Sequence, residues 1–132
     1  MKQIVIYVEP ETSSDIIEIL NKHNVGGVAF YDLMGAGPIE HKPVPQMVRM
    51  FMTGKSIIPE HIRITKIESV VSDSVVQEIV DDILNNIQPG KEPHGIIFVR
   101  DIDSAYVIGT KQSGEEAIRK RWIFQISPNE KE

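Results

Sequence analysis

The chain has 132 residues, 14 basic against 19 acidic, with a net charge of -5, 41% hydrophobic residues and no cysteine. At roughly 150 residues per typical domain this leaves room for one core, and the composition excludes a disordered or fibrous chain. The acidic balance argues against delocalised binding to nucleic-acid phosphates or anionic lipid, and the missing cysteines remove disulfides, thiolate nucleophiles and zinc–cysteine sites.

Gln3 to Val8 is apolar on both faces and β-branched, which predicts a strand ended by Pro10. Thr12, Ser13, Ser14 and Asp15 supply acceptors for a helix start, and Ile16, Ile17, Ile19 and Leu20 supply its apolar stripe before Gly26-Gly27 stops it. Val28 to Met34 reads as a second strand, closed by Gly35-Ala36-Gly37. From Pro38 the character changes: Pro38, Pro43, Pro45 and Pro59 break up a long excursion of the kind that usually carries function. Val44, Met47, Val48 and Phe51 would give it one short helix.

Ile62 to Val71 is the third predicted strand. A second helix follows, with Ser74 and Gln77 as a capping box, Val75, Val76, Ile79, Val80, Ile83, Leu84 and Ile87 as its apolar face, and Asp81 and Asp82 facing away. Pro89-Gly90 ends it, Ile96 to Val99 and Ala105 to Ile108 are short strands, and Trp122, Phe124 and Ile126 alternate in a tail over Arg119 to Glu132. The two halves repeat strand, acidic-serine turn and apolar helix, which predicts an α+β, ferredoxin-like βαββαβ sandwich. Both helices would then cover one sheet face, leaving the other to self-association.

Catalysis finds little support in these residues. There is no Gly-x-Ser-x-Gly and no cysteine, while Asp81-Asp82 and Glu115-Glu116 are neighbours that read as solvated surface. His23, His41, His61 and His94 lack metal-site spacing, so no metal is expected. Thr53-Gly54-Lys55-Ser56 mimics the end of a phosphate-binding loop, but Arg49 stands where its first glycine belongs. Glycines at Gly35 and Gly37, and the loop from Gln88 to Gly95 with Lys91 and His94, suit an anion cleft better, although glycines after strands are more often plain turns. Lys42, Arg49, Lys55, Arg63 and Lys66 concentrate positive charge in and after the excursion; a solvated loop and an arm that folds over an anion are both open readings. The absence of a membrane-length apolar run and the strand pattern directly after Met1-Lys2-Gln3 predict no transmembrane segment, no signal peptide and a cytoplasmic location.

Five stretches in order then carry a resemblance: Met1-Lys2-x-Ile4; Val25-Gly26-Gly27-Val28 leading to Gly35-Ala36-Gly37; Ile67 to Asp73; Gly95-Ile96-Ile97-Phe98-Val99; and Gly114-Glu115-Glu116-Ala117-Ile118. Together they resemble the PII family of small trimeric signal-transduction proteins, over the chain up to Ile118. The resemblance implies a homotrimer of ferredoxin-like subunits, adenine nucleotides in the clefts between them, and a long loop that touches a regulated partner. Residues 1–118 would form the domain, 38–61 its flexible loop and 119–132 a C-terminal extension. By the same resemblance Gly27, Val28 and Ala29 would offer backbone groups to the adenine edge, with Glu68 and Val70 near base and ribose. Gly35 and Gly37 would approach ribose and phosphate, and Gly90, Lys91, His94 and Gly95 would wrap the phosphates.

Departures from the family pattern refine this. Ile96 replaces a phosphate-binding lysine, and Val107-Ile108-Gly109-Thr110 replaces Arg-x-Arg-Thr. At about 1.5 to 3 kcal/mol per charge-assisted contact, three lost cations point to ADP or AMP over ATP. Arg49, Lys55 and Lys111, besides Lys91, are the candidate substitutes or partner-loop cations. Pro38-Ile39 stands where the family has Arg-Gln, which argues against magnesium-assisted 2-oxoglutarate sensing, and no tyrosine lies in the loop for nucleotidylation. The loop is similar to the atypical branch that includes carboxysome-associated members, which implies a small anion such as bicarbonate as co-ligand. The expected function is a non-enzymatic regulator that reports nucleotide occupancy through residues 38–61 to a target protein, a transporter or metabolic enzyme. The alternatives are a CutA-type ferredoxin-like trimer with a structural or metal-related role and no nucleotide, and a slow ATPase.

Overall fold

Residues 1–36, 62–87 and 95–119 are described by a computed structural model of the chain. Within them run β1 (Lys2–Val8), a 3-10 turn (Pro10–Thr12), α1 (Ser13–Lys22), β2 (Ala29–Gly35), β3 (Ile62–Val71), α2 (Val76–Asn86), β4 (Gly95–Asp101) and α3 (Glu115–Arg119). The sheet has the order β2-β3-β1-β4 with every neighbouring pair antiparallel. Two helices on one face of this sheet make the α+β, ferredoxin-like fold that the repeated halves predict. Among the described residues no helix is long and apolar enough to cross a membrane.

Alternation in the two central strands decides which face is core. Ile4, Ile6 and Val8 of β1 are buried with Ile67 and Val71 of β3, against Ile16, Ile19 and Leu20 of α1 and Ile79 and Ile83 of α2. The opposite face carries Gln3, Val5 and Tyr7, Lys66, Glu68 and Val70, and on the edges Tyr31 and Phe98; no described helix covers it. Its aromatic and aliphatic groups stay partly in solvent, with Tyr31 42%, Ile96 51% and Phe98 50% exposed.

Several local expectations are corrected. Helix α1 stops at Lys22, ahead of Gly26-Gly27, because Asn24 takes the left-handed conformation (φ 54°) that closes a helix. The Ser13 hydroxyl donates to the Pro10 carbonyl at 2.7 Å rather than accepting from a helix amide, since the 3-10 turn already begins the hydrogen-bonded run. The Ser74–Gln77 capping box does not form. Val75 N–H bonds the Ser72 carbonyl in a turn that delays the helix to Val76, and Gln77 donates instead to Asp81 at 2.8 Å.

On α2, Leu84 is 65% exposed rather than part of the apolar face. Asp82 does not face away: its Oδ2 lies 2.8 Å from His23 Nε2, tying the end of α1 to α2, and Asn86 donates to its backbone carbonyl at 2.8 Å. Ala105 to Ile108 is no strand; a single bridge pairs Tyr106 with Ser113 around a turn. Helix α3 is an element the alternation did not predict. The short loop helix and the tail alternation of Trp122, Phe124 and Ile126 fall outside the described residues.

Candidate functional site

The candidate residues separate into two groups. The first gathers where β2 begins. Its ladder with β3 opens at Ala29 opposite Glu68, and Gly26 and Gly27 just upstream are buried. Ser69 Oγ donates to the Gly27 carbonyl at 2.7 Å, and Val28 packs against the core. Gly27, Val28 and Ala29, at and just before the start of β2, and Glu68 and Val70 of β3 are therefore one continuous patch of backbone. Beside it, a cavity of about 200 Å³ opens between the end of α1, the end of β3 and the start of α2, lined by Gly26, Val70, Val75, Ile118 and the polar groups of Ser72, Ser74 and Arg119.

Glu68 is already engaged within the chain. Its carboxylate accepts from Lys66 Nζ at 2.8 Å and from Tyr31 Oη at 3.3 Å. The Lys66 ammonium in turn lies over the rings of Tyr7 and Tyr31, at 5.6 and 5.4 Å from their centroids, and the Tyr7 ring meets Phe98 edge-on at 6.1 Å. The Lys66 hydrogen bond holds Glu68 below its ordinary value of 4.5, with smaller help from Tyr31 and Arg100; Glu68 and Tyr31 raise Lys66 above its ordinary 10.5. At neutral pH an ionised carboxylate thus sits on the open sheet face as an acceptor beside two aromatic rings.

The sign of the pH effect follows. A lowered carboxyl pKa contributes stability that is present above 4.5 and lost as pH falls through the lowered value, while a raised lysine pKa contributes stability present below 10.5 and lost as pH rises beyond it. Glu68→Gln should therefore lower the melting temperature at neutral pH, and the difference from the unaltered protein should shrink steadily under acid titration below 4.5. A difference that stays constant into acid would show that the ion pair is not its cause.

The second group lies at the other end of the sheet, but on its two opposite edge strands, so Gly35 and Gly95 do not meet within one chain. Gly35 is opposite Ile62 at the last position of β2, and Gly95 is opposite Val8 at the first position of β4. Six residue steps of strand separate Ala29 from Gly35, about 20 Å at 3.4 Å per step. Gly95 approaches the β1 backbone closely: a Cβ there would stand 2.1 Å from the Tyr7 carbonyl oxygen. Gly37, Arg49, Lys55, Gly90, Lys91 and His94 lie outside the described residues.

Lys111 is exposed in a turn of its own, with φ 63° and its N–H on the Val107 carbonyl at 3.0 Å. The same turn holds Ile108 fully in solvent. Among the described residues no three His, Asp or Glu side chains gather in a metal-binding group.

Sequence reasoning missed Ser69 and the Lys66 cluster. Ser69 carried a signal: a hydroxyl at an inward position between Ile67 and Val71 must find a buried partner. For Lys66 no such signal existed, because its two tyrosines come from different strands that meet only across β3.

The chain matches the family described as Nitrogen regulatory protein P-II over residues 1–112. It is similar to the Nitrogen regulatory protein P-II of Bradyrhizobium diazoefficiens, 30% identical over 118 residues that cover 89% of this chain and 100% of that protein. The Nitrogen regulatory protein P-II of Haemophilus influenzae is 28% identical over the same shares of both chains. The Nitrogen regulatory protein P-II 1 of Escherichia coli is 30% identical, again across 89% of this chain and 100% of its own length. With the fold, the glycine-bearing strand ends and a match over residues 1–112 in agreement, the chain belongs to the P-II family of nitrogen regulatory proteins.

Proposed function

We propose that this protein is a non-enzymatic, homotrimeric signal-transduction regulator that binds an adenine nucleotide between subunits, ADP or AMP in preference to ATP, and reports occupancy to a partner protein through residues 38–61. The observation that carries this reading is the separation of the candidate residues. One chain cannot close Gly27–Ala29 and the Gly35 end of β2 around a single purine when about 20 Å of strand lies between them. A neighbouring copy can supply the missing half. The uncovered sheet face, with Tyr31, Ile96 and Phe98 partly exposed, supports assembly with like chains.

Nucleotide contacts made only when the root of the loop is ordered would bias its conformer, and the partner, a transporter or metabolic enzyme, would read that bias. The cations absent at Ile96, Val107 and Gly109 favour fewer phosphates. Lys91 and His94, with Arg49, Lys55 or Lys111, are left to meet them, and a small anion such as bicarbonate is the proposed co-ligand. The cytoplasm is the proposed location.

Light scattering on the purified protein should give three chains per particle. Thermal unfolding with AMP, ADP and ATP should then show stabilisation of about 2.7 kcal/mol at 100 times the dissociation constant, reached at lower concentration for ADP or AMP than for ATP. A single-chain particle, or no shift with any of the three, would defeat the proposal.

A further inference from the structure

The ladder between β2 and β3 begins at Ala29, opposite Glu68. Upstream of that register stands the Gly26-Gly27 pair, which has no side chain to anchor it and gives up more backbone freedom on ordering than other residues. Gly27 is nonetheless buried, so its carbonyl needs a donor inside the protein. Ser69 supplies it, from a side chain on a residue only 2% exposed, at 2.7 Å. The nearest same-face neighbours of Ser69 along β3, Ile67 and Val71, are apolar, and an aliphatic residue would suit the core there without any partner. The hydroxyl extends the attachment of β2 two residues beyond its backbone ladder.

We infer that Ser69 is a positioning residue for nucleotide recognition: by holding the Gly27 carbonyl it presents the Gly27–Ala29 backbone in the conformation that meets the purine edge. This rests on the reading of that segment given under the proposed function. Ser69 also occupies one of the two lone pairs of the Gly27 carbonyl, which shifts base recognition towards the backbone groups of Val28 and Ala29. With the hydroxyl gone, the competent conformation is only a fraction of the ensemble, and the apparent dissociation constant rises by the inverse of that fraction.

The test is ADP titration by calorimetry on the unaltered trimer, Ser69→Ala and Thr65→Ala. Thr65 is the matched control: it is equally buried at 2% exposure on the same face of β3, and its hydroxyl donates to Asp32 at 2.9 Å, away from Gly27. Ser69→Ala should weaken ADP binding about tenfold and speed hydrogen exchange at the Val28 and Ala29 amides. Thr65→Ala should lower the melting temperature comparably and leave ADP affinity within about twofold. Ser69→Thr and Ser69→Val, equal in shape and different only in the hydroxyl, decide the matter even if the alanine variant fails to fold: threonine should bind ADP as the unaltered protein does and valine should not. Equal affinity in the threonine and valine variants, or equal loss in Ser69→Ala and Thr65→Ala, overturns the role assigned to Ser69 while leaving nucleotide binding intact. No ADP uptake by the unaltered protein overturns the nucleotide reading itself and this inference with it.

Discussion

Gly95→Ala is expected to lower stability by about 3 kcal/mol, a fall in melting temperature on the order of 10 °C for a domain of this size. The added Cβ would stand 2.1 Å from the Tyr7 carbonyl oxygen, 2.8 Å from a Val8 methyl and 3.0 Å from Val8 Cα. Two of those three atoms belong to the β1 backbone, which is locked between β3 and β4 and has no rotamer to change. The start of β4 must therefore peel away from Val8. Gly35→Ala makes the comparison sharp. Its nearest obstacle, at 2.4 Å, is the terminal methyl of Ile64, which can rotate aside. A cost below about 1 kcal/mol is expected there. Thermal unfolding of the two variants side by side would refute the argument if they melted together.

Ile67→Ala should cost about 3 to 4 kcal/mol, whereas Leu84→Ala should be nearly neutral. Ile67 is fully buried at the middle of β3, opposite Ile6 of β1, in the cluster that joins both helices to the sheet. Truncation leaves a cavity that strands held on both sides cannot collapse to fill. Leu84 belongs to the same apolar periodicity in sequence, yet it is 65% exposed and its removal uncovers nothing. Urea unfolding distinguishes them by midpoint; similar midpoints would mean that the core does not lie where the buried face of the sheet places it.

The contrast between Ile67 and Leu84 also marks how far the sequence could be read. Strand β3 was legible to its ends, Ile62–Val71, because alternation over ten residues has one solution. The order of elements and the repeated halves were enough for the fold. Helix starts were not: serine and glutamine at capping spacing compete with turns, and at Ser72–Val75 the turn wins through its own backbone hydrogen bond. Asp82 looked like solvated surface because nothing in the order of residues reports that His23, 59 positions earlier, ends α1 beside it.

For the candidate site, Gly35 and Gly95 were visible as glycines at strand ends, since close backbone approach is a property of the residue itself, whereas Gly27–Ala29 entered only through the family resemblance. Their separation into two groups was not visible, because it depends on which end of an antiparallel sheet each strand presents. Residue order determined the family, through five stretches in sequence, and the α+β class, through the repeated order of strand and helix, each strand and helix being legible from the pattern of its own segment. The tertiary structure alone decided that Lys66 and Glu68 share a face with two tyrosines and that Ser69 reaches Gly27. Those are relations between segments, fixed by strand register and handed on by burial, and no single stretch of the chain contains them.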